Sequence, residues 1–287
     1  MIPVAVVLAL LVGVSLGLLG GGGSLLTVPL LRYVVGLEAH RAVALSLLIV
    51  GITSLAALVP HARRGRVRWR TGVVFGAAGM VGAFLAGRVA HWIPAAALLL
   101  LFAALLLATS VAMLSDRPRL QVAAVVRELP VVKVLGEGLV VGAVTGLVGA
   151  GGGFLVVPAL VLLGGLPMNV AVGTSLLVIA MKSFAGFAGF LGHTPIDWTL
   201  AAWLGGAAVI GSVLGGLLAD RVSSYHLRRG FGWLVVAMAL FMLGQELPRA
   251  FGAAPPIALP LALSVLGTVA AVGVRQLWSR ASAPAAE

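Results

Sequence analysis

Gly17-Leu-Leu-Gly-Gly-Gly-Gly-Ser-Leu-Leu-Thr-Val-Pro29 decides how this chain folds, because a version of it returns 129 residues later as Gly146-Leu-Val-Gly-Ala-Gly-Gly-Gly-Phe-Leu-Val-Val-Pro158. Each copy closes an apolar run with a block of glycines, then resumes an apolar run that reaches a proline. Glycine is the poorest ordinary helix former and proline is poorer still, so each block breaks a helix. A bilayer cannot hydrate the backbone groups that a break frees. Irregular backbone at membrane depth therefore survives only where it is buried in protein or lines a cavity. Two such breaks in corresponding halves point to a transporter's binding site.

The composition agrees with a membrane setting. Of the 287 residues, 61% are hydrophobic and 9% charged, against about 25% charged in a soluble domain. Apolar runs of about 20 residues, long enough to cross a bilayer, cover most of the chain. The net charge of +11 does not indicate nucleic acid, because the arginines cluster in short loops between apolar runs, as the positive-inside rule describes. With no cysteine, there is no disulfide framework and no thiolate metal site. Met1 to Leu19 lacks a basic leader and runs straight into the first glycine block, so it reads as a retained segment.

The offset of 129 also pairs Ser46 with Ser175, Ser54 with Ser183, Trp69 with Trp198, Gly76 with Gly205, Gly82 with Gly211 and Gly87 with Gly216. This is a duplication. It divides the chain into a first transmembrane repeat (1–114), a cytoplasmic linker (115–133), a second repeat (134–244) and an extra C-terminal helix (257–277). The apolar segments after the glycine blocks, Leu25 to Val35 and Phe154 to Leu163, are too short to span upright. They read as arms of broken helices or re-entrant hairpins.

Loop charges orient the halves. His61 to Arg70 carries five arginines, and Ser115 to Lys133 adds Arg117, Arg119, Arg127 and Lys133. Both loops belong on the cytoplasmic side. Parallel repeats would divide the basic residues at about 10 inside to 8 outside, and inverted repeats at about 14 to 4. The expected fold is therefore an all-α polytopic membrane protein of two inverted repeats, with about 8–10 membrane segments.

The glycine blocks Gly20, Gly21, Gly22 and Gly23, and Gly149, Gly151, Gly152 and Gly153, are the first candidates for an anion site. Successive glycine N–H groups can turn into one concavity. Pro29 and Pro158 suit the first turn of a following helix, where a missing N–H costs nothing. In another reading Ser24 caps a helix starting at Leu25, and Pro29 then kinks it. Helix packing alone explains a four-glycine block poorly. No Gly-Lys-Ser/Thr follows either block, which argues against a phosphate-binding loop.

The paired glycine–proline motifs, with Gly173-Thr174-Ser175-Leu176 after the second, resemble the TauE/SafE sulfite-exporter family of membrane permeases. The resemblance covers nearly the whole chain. It implies transport of small sulfur-containing anions, such as sulfite or organosulfonates, across the bacterial inner membrane. Half one departs from the pattern, because Ala44-Leu45-Ser46-Leu47 lacks the threonine, so two unequal half-sites are expected.

Lys182 is the one lysine inside an apolar span, at the position matched by Thr53. A cation there costs about 2.5–3.5 kcal/mol on insertion scales, and an anion partner would account for it. Snorkelling to the interface is the alternative. Ser46, Thr174, Ser175, Ser54 and Ser183 could donate to sulfonate oxygens, or bond their own backbone instead. Asn169 reads as a cap. Glu137 is the only partly embedded acid, and an ion pair with Lys133 explains it equally well. The five histidines read as loop or interface residues without metal-ligand spacing. Trp69, Trp92, Trp198 and Trp278 read as an aromatic belt.

The sequence thus describes a secondary transporter with a midplane anion site at Gly20–Ser24, Ser46, Gly149, Gly151–Gly153, Thr174, Ser175 and Lys182. The rival is an anion channel using the same site. Neither an enzyme nor a cofactor is expected, since no serine near Lys182 has an orienting third group. A coupling proton or ion and the oligomeric state stay open.

Overall fold

The computed structural model describes residues 2–20, 23–114, 131–148, 153–162, 165–219, 233 and 235–245. The C-terminal segment 257–277 and most of the linker lie outside the described residues. Among the described residues there are helices and short connections, and no strand. In the first half these are α1 (Ile2–Leu19), α2 (Ser24–Pro29), which continues as a π-helical turn (Leu30–Val34), α3 (Ala39–Arg63), α4 (Trp69–Val89) and α5 (Ala95–Leu114). In the second half they are α6 (Val131–Val148), α7 (Gly153–Leu162), α8 (Met168–Phe190) and α9 (Trp198–Leu218). A shorter apolar helix, α10, covers Val235–Gln245. Among the described residues, four helices are long and apolar enough to cross a membrane by themselves, namely Ala39–Arg63, Trp69–Trp92, Met168–Phe190 and Trp198–Leu218.

The helix bounds recur at the sequence offset. Ile2–Leu19 answers to Val131–Val148, and Trp69–Val89 to Trp198–Leu218. The recurrence extends to single hydrogen bonds. Leu37 N–H donates to Leu31 O at 3.0 Å, and Leu166 N–H to Leu160 O at 3.1 Å. Each bond closes a turn around a left-handed glycine, Gly36 (φ +84°) or Gly165 (φ +60°). Each bond spans one residue more than the six-to-one bond with which helices commonly end at a glycine.

The first-turn reading of the prolines is corrected, and so is the reading of Ser24 as a cap, because α2 begins at Ser24 itself with Gly23 at the N-cap and no side-chain cap bond. Pro29 is the last residue of the six-residue α2, and Pro158 lies inside α7. The helix starts earlier than expected because Gly23 packs against Val12 and Leu16 of α1, where a side chain has no room. Proline cannot donate to the preceding turn. The chain passes from Pro29 into the wider π-helical turn, as ladder defects of this kind do.

Close contacts at glycines fix the direction of neighbouring helices. Gly13 and Gly17 of α1 lie on Ala208 and Ser212 of α9, while Gly211 and Gly215 lie on Leu10 and Val14. The numbers rise together, so α1 and α9 run the same way. In α4 and α6, Gly138 lies on Phe75, Gly142 on Gly79 and Gly146 on Ala83, again in parallel. In α4 and α8, Gly72 meets Leu177, Gly76 meets Met181 and Gly87 meets Gly186. Ser212 of α9 donates to Thr53 O of α3 at 3.2 Å, and Gly216 lies on Pro60. Across α3 and α8 the order reverses, because Gly51 faces Phe184 whereas Leu47 faces Gly186.

The two equivalent helices α3 and α8 form the centre. They are the most buried of the long spans, at 78% and 72%, against 50% and 44% for the spans containing α4 and α9. Leu85, Val81, Ile210 and Leu217 on those outer helices are exposed, where lipid would cover them. Trp69, Trp92 and Trp198 are 54%, 74% and 62% exposed at helix ends, as interfacial aromatics are.

Candidate functional site

The first glycine block is held by the second half of the chain. Gly20 closes α1, with its N–H donating to Leu16 O at 2.8 Å and φ at +71°. A Cβ at Gly20 would stand 2.8 Å from Ser175 Oγ and 3.1 Å from Val172 Cα. The motif of one half is therefore seated on the hydroxyl-bearing helix of the other. Ser24, Ser46, Thr174, Ser175 and Lys182 are all 0–1% exposed. Gly23 and Ser24 open α2, and Gly153 opens α7. The arms α2 and α7 touch. Gly21, Gly22, Gly149, Gly151 and Gly152 lie outside the described residues.

Two hydroxyls of Gly173-Thr174-Ser175 are already engaged. Ser175 donates to Val172 O at 2.8 Å, and Thr174 Oγ1 accepts from Arg68 N–H at 3.0 Å. Gly173 lies directly under Arg66 O, near the Cβ of His61. Arg64 donates to Gly216 O at 2.7 Å, and a ring nitrogen of His61 lies 3.1 Å from Gly17 O. The arginine-rich link thus ties the ends of α1, α3 and α9 to the start of α8. This corrects the loop reading of His61, which is 1% exposed. It occupies the last turn of α3, where Gly173 in the second turn of α8 lies over it. His40 is 3.6 Å from Glu38, and the rings of His91 and His193 stack at 4.7 Å. Asn169 Oδ1 accepts from Val170 N–H at 2.9 Å, at the exposed start of α8.

At the other end of α3, a cavity of about 230 Å³ is lined by Leu37, Arg41, Leu45, Pro195, Ile196 and Asp197. Its wall reaches the residue before Ser46.

Lys182 does not snorkel. It is 1% exposed, and its Nζ is buried without a hydrogen-bond partner among the described residues. Its stem runs past Gly79 of α4, where an added Cβ would lie 3.8 Å from the lysine Cβ and Cδ. Gly138 O of α6 is 3.4 Å from the same point. The groove that admits the lysine is therefore made by two glycines. Ser54 and Ser183 are 0% exposed, and each hydroxyl is buried without a partner among the described residues. Thr53, the counterpart of Lys182, donates back to Ile49 O at 2.6 Å. Thr27 of α2, which the sequence did not single out, is 2% exposed, and its hydroxyl has no partner among the described residues.

A family model described as Sulfite exporter TauE/SafE matches residues 5–242. The chain belongs to this family. Among curated relatives of this TauE/SafE protein is a probable membrane transporter protein of Xylella fastidiosa strain Temecula1. It is 38% identical over 242 residues, covering 82% of this chain and 92% of the relative. A probable membrane transporter protein of Methanocaldococcus jannaschii is 26% identical over 260 residues, covering 85% and 96%. No solved structure matches the chain. The TauE/SafE protein described here is a membrane transporter, a multi-pass protein of the bacterial inner membrane. The match spans both glycine blocks, all of α2 to α9 and all but the first three residues of α1.

Proposed function

We propose that this transporter carries small sulfur-containing anions such as sulfite or organosulfonates outward, by alternating access around the paired glycine motifs. One observation carries the reading. Gly20, from the first motif, rests on Ser175 of the second half, so movement of one half against the other opens or closes that contact. In this reading residues 1–114 and 134–244 are the two moving bodies, related as inverted repeats. The opposed directions of α3 and α8, and the parallel runs of α1 with α9 and α4 with α6, support that relation. Ser24, Ser46, Thr174 and Lys182 line the path between the motifs. The site is built for an anion, since glycine N–H groups, hydroxyls and an ammonium all donate. The bonds from the arginine-rich link to α8 and α9 act as the closure at the cytoplasmic end, and the Arg41 cavity is the opening at the other.

The test is flux in proteoliposomes. Sulfite or methanesulfonate uptake that saturates, and that is accelerated by the same anion on the far side, supports the carrier. Non-saturating flux without that acceleration assigns the same site to a channel. No flux of either anion, from folded protein, removes the sulfur-anion reading.

A further inference from the structure

The starts of α3 and α8 meet corresponding pieces of chain, but one pair of surfaces is joined and the other stands open. Under the 129-residue offset, Arg66, Val67 and Arg68 before α4 answer to Pro195, Ile196 and Asp197 before α9. Val170 and Thr174 of α8 answer likewise to Arg41 and Leu45 of α3. At the α8 start, Arg68 N–H donates to Thr174 Oγ1 at 3.0 Å, and Gly173 lies under Arg66 O. At the α3 start the cavity of about 230 Å³ lies between the matching surfaces. Leu45 and Asp197, the counterparts of the hydrogen-bonded Thr174 and Arg68, are both on its wall.

At the matched positions, opposite charges occur only in the open copy, because Val170 and Arg68 stand in the other where this one has Arg41 and Asp197. Arg41 and Asp197 line the same space without pairing with each other among the described residues. Asp197 Oδ1 accepts from Leu200 N–H at 2.9 Å, and a carboxylate has acceptor sites for further donors. Arg41 brings a planar fork of five N–H donors that matches an oxoanion. Two neighbouring charges are already engaged. Arg32 donates to Leu37 O at 2.9 Å, and Glu38 lies 3.6 Å from His40.

Leu37, Leu45, Pro195 and Ile196 give the rest of the wall an apolar lining. The space is below the about 300–1,000 Å³ of drug-sized ligand sites, so its occupant has few heavy atoms. A plain anion on Arg41 would also meet the carboxylate of Asp197, and such like-charge juxtaposition is unfavourable. An oxoanion joined to an ammonium by a short apolar spacer satisfies both charges and the wall together.

We infer that Arg41 and Asp197 form a binding site in this opening for a small zwitterion, with its oxoanion on Arg41 and its ammonium on Asp197. The inference deepens the proposed function and rests on it for the sulfonate, which makes the occupant a short aminoalkanesulfonate. A short amino acid offers the same chemistry through a carboxylate, and the experiment separates the two.

The purified full chain is titrated with taurine, ethanesulfonate and β-alanine, reading the thermal midpoint, which a ligand of the folded state raises by mass action. Ethanesulfonate is taurine without the ammonium, and β-alanine has a carboxylate in place of the sulfonate. Taurine is expected to bind at least ~10-fold more tightly than ethanesulfonate, and Arg41→Gln to weaken taurine by roughly 10-fold or more, as for hydrogen bonds between charged groups. Asp197→Asn keeps the cap of α9, since asparagine caps as well as aspartate. It should weaken taurine and strengthen ethanesulfonate, an exchange that loss of a merely structural residue would not produce. Equal binding of taurine and ethanesulfonate by the wild type overturns the site and leaves the sulfur-anion carrier standing. A taurine preference that survives Asp197→Asn, or taurine binding unchanged in Arg41→Gln, does the same. Tighter binding of β-alanine than taurine, lost in both variants, upholds the zwitterion site and sinks the sulfonate as its occupant. Silence towards all three ligands overturns the site, while saturable sulfite flux would still uphold the carrier.

Discussion

Gly20 meets two demands that no other residue satisfies together. Its φ of +71° ends α1, and its missing side chain leaves room for Ser175 Oγ at 2.8 Å from the Cβ position. Alanine in the left-handed region costs roughly 1–2 kcal/mol. Gly36 has a similar φ of +84° with nothing within 4 Å, so Gly36→Ala isolates the backbone cost. Gly20→Ala is expected to lower the thermal midpoint clearly more than Gly36→Ala, and Gly20→Ala with Ser175→Ala should recover part of the difference. Equal losses for the two single variants would reduce Gly20 to a helix cap. The glycine block and Lys182 were legible in the sequence because both are costly in a bilayer. The burial of His61 was not, since its neighbours Arg63 and Arg64 read as a loop and only the tertiary fold lays Gly173 over it. The idle hydroxyls of Ser54 and Ser183 were not legible either. A serine that bonds its own turn, as Ser175 does, looks the same in sequence as one that does not.

At the scale of helices, small residues set which pairs meet. Lipid gives no hydrophobic drive for helix association, so close backbone approach has to supply the contact. Gly142 lies on the backbone of Gly79, whereas Gly206 has nothing within 4 Å. Gly142→Leu is expected to force α4 and α6 apart and destabilise by about 3 kcal/mol or more, at the upper end of overpacking costs. Gly206→Leu should leave both the midpoint and the monodisperse fraction near wild type. Size exclusion and thermal unfolding in detergent separate the two. Thr174→Val tests the link from α3–α4 to α8. Losing the acceptor for Arg68 N–H should cost about 1 kcal/mol and show as a lower midpoint. An unchanged midpoint would mean that the link is held by its arginines alone. Helix lengths and the repeat offset were readable from apolar runs. The start of α2 was not, because packing of Gly23 on α1 decides it rather than any capping side chain.

For the whole molecule, the decisive property is which way each half faces. The contact registers place α1, α3 and α9 in one direction and α4, α6 and α8 in the other. Counterparts under the offset, α1 with α6, α3 with α8 and α4 with α9, therefore fall in opposite sets. The arginine count argues the same way from sequence alone, because inversion puts more of the basic residues on the cytoplasmic side. The two lines are independent, since one rests on glycine contacts inside the bundle and the other on charges outside it. The natural chain has no cysteine, so single thiols report topology without background. Arg63→Cys, at the end of α3, and His193→Cys, in the α8–α9 connection, mark the corresponding turns of the two halves, and both native residues are exposed. With a membrane-impermeant maleimide on intact spheroplasts, His193→Cys is expected to label and Arg63→Cys to stay protected until the cells are broken. Labelling of both from the same side would make the repeats parallel. The two glycine motifs would then lie at the same depth and face, and Gly20 on Ser175 would become a packing contact rather than the hinge of an alternating site.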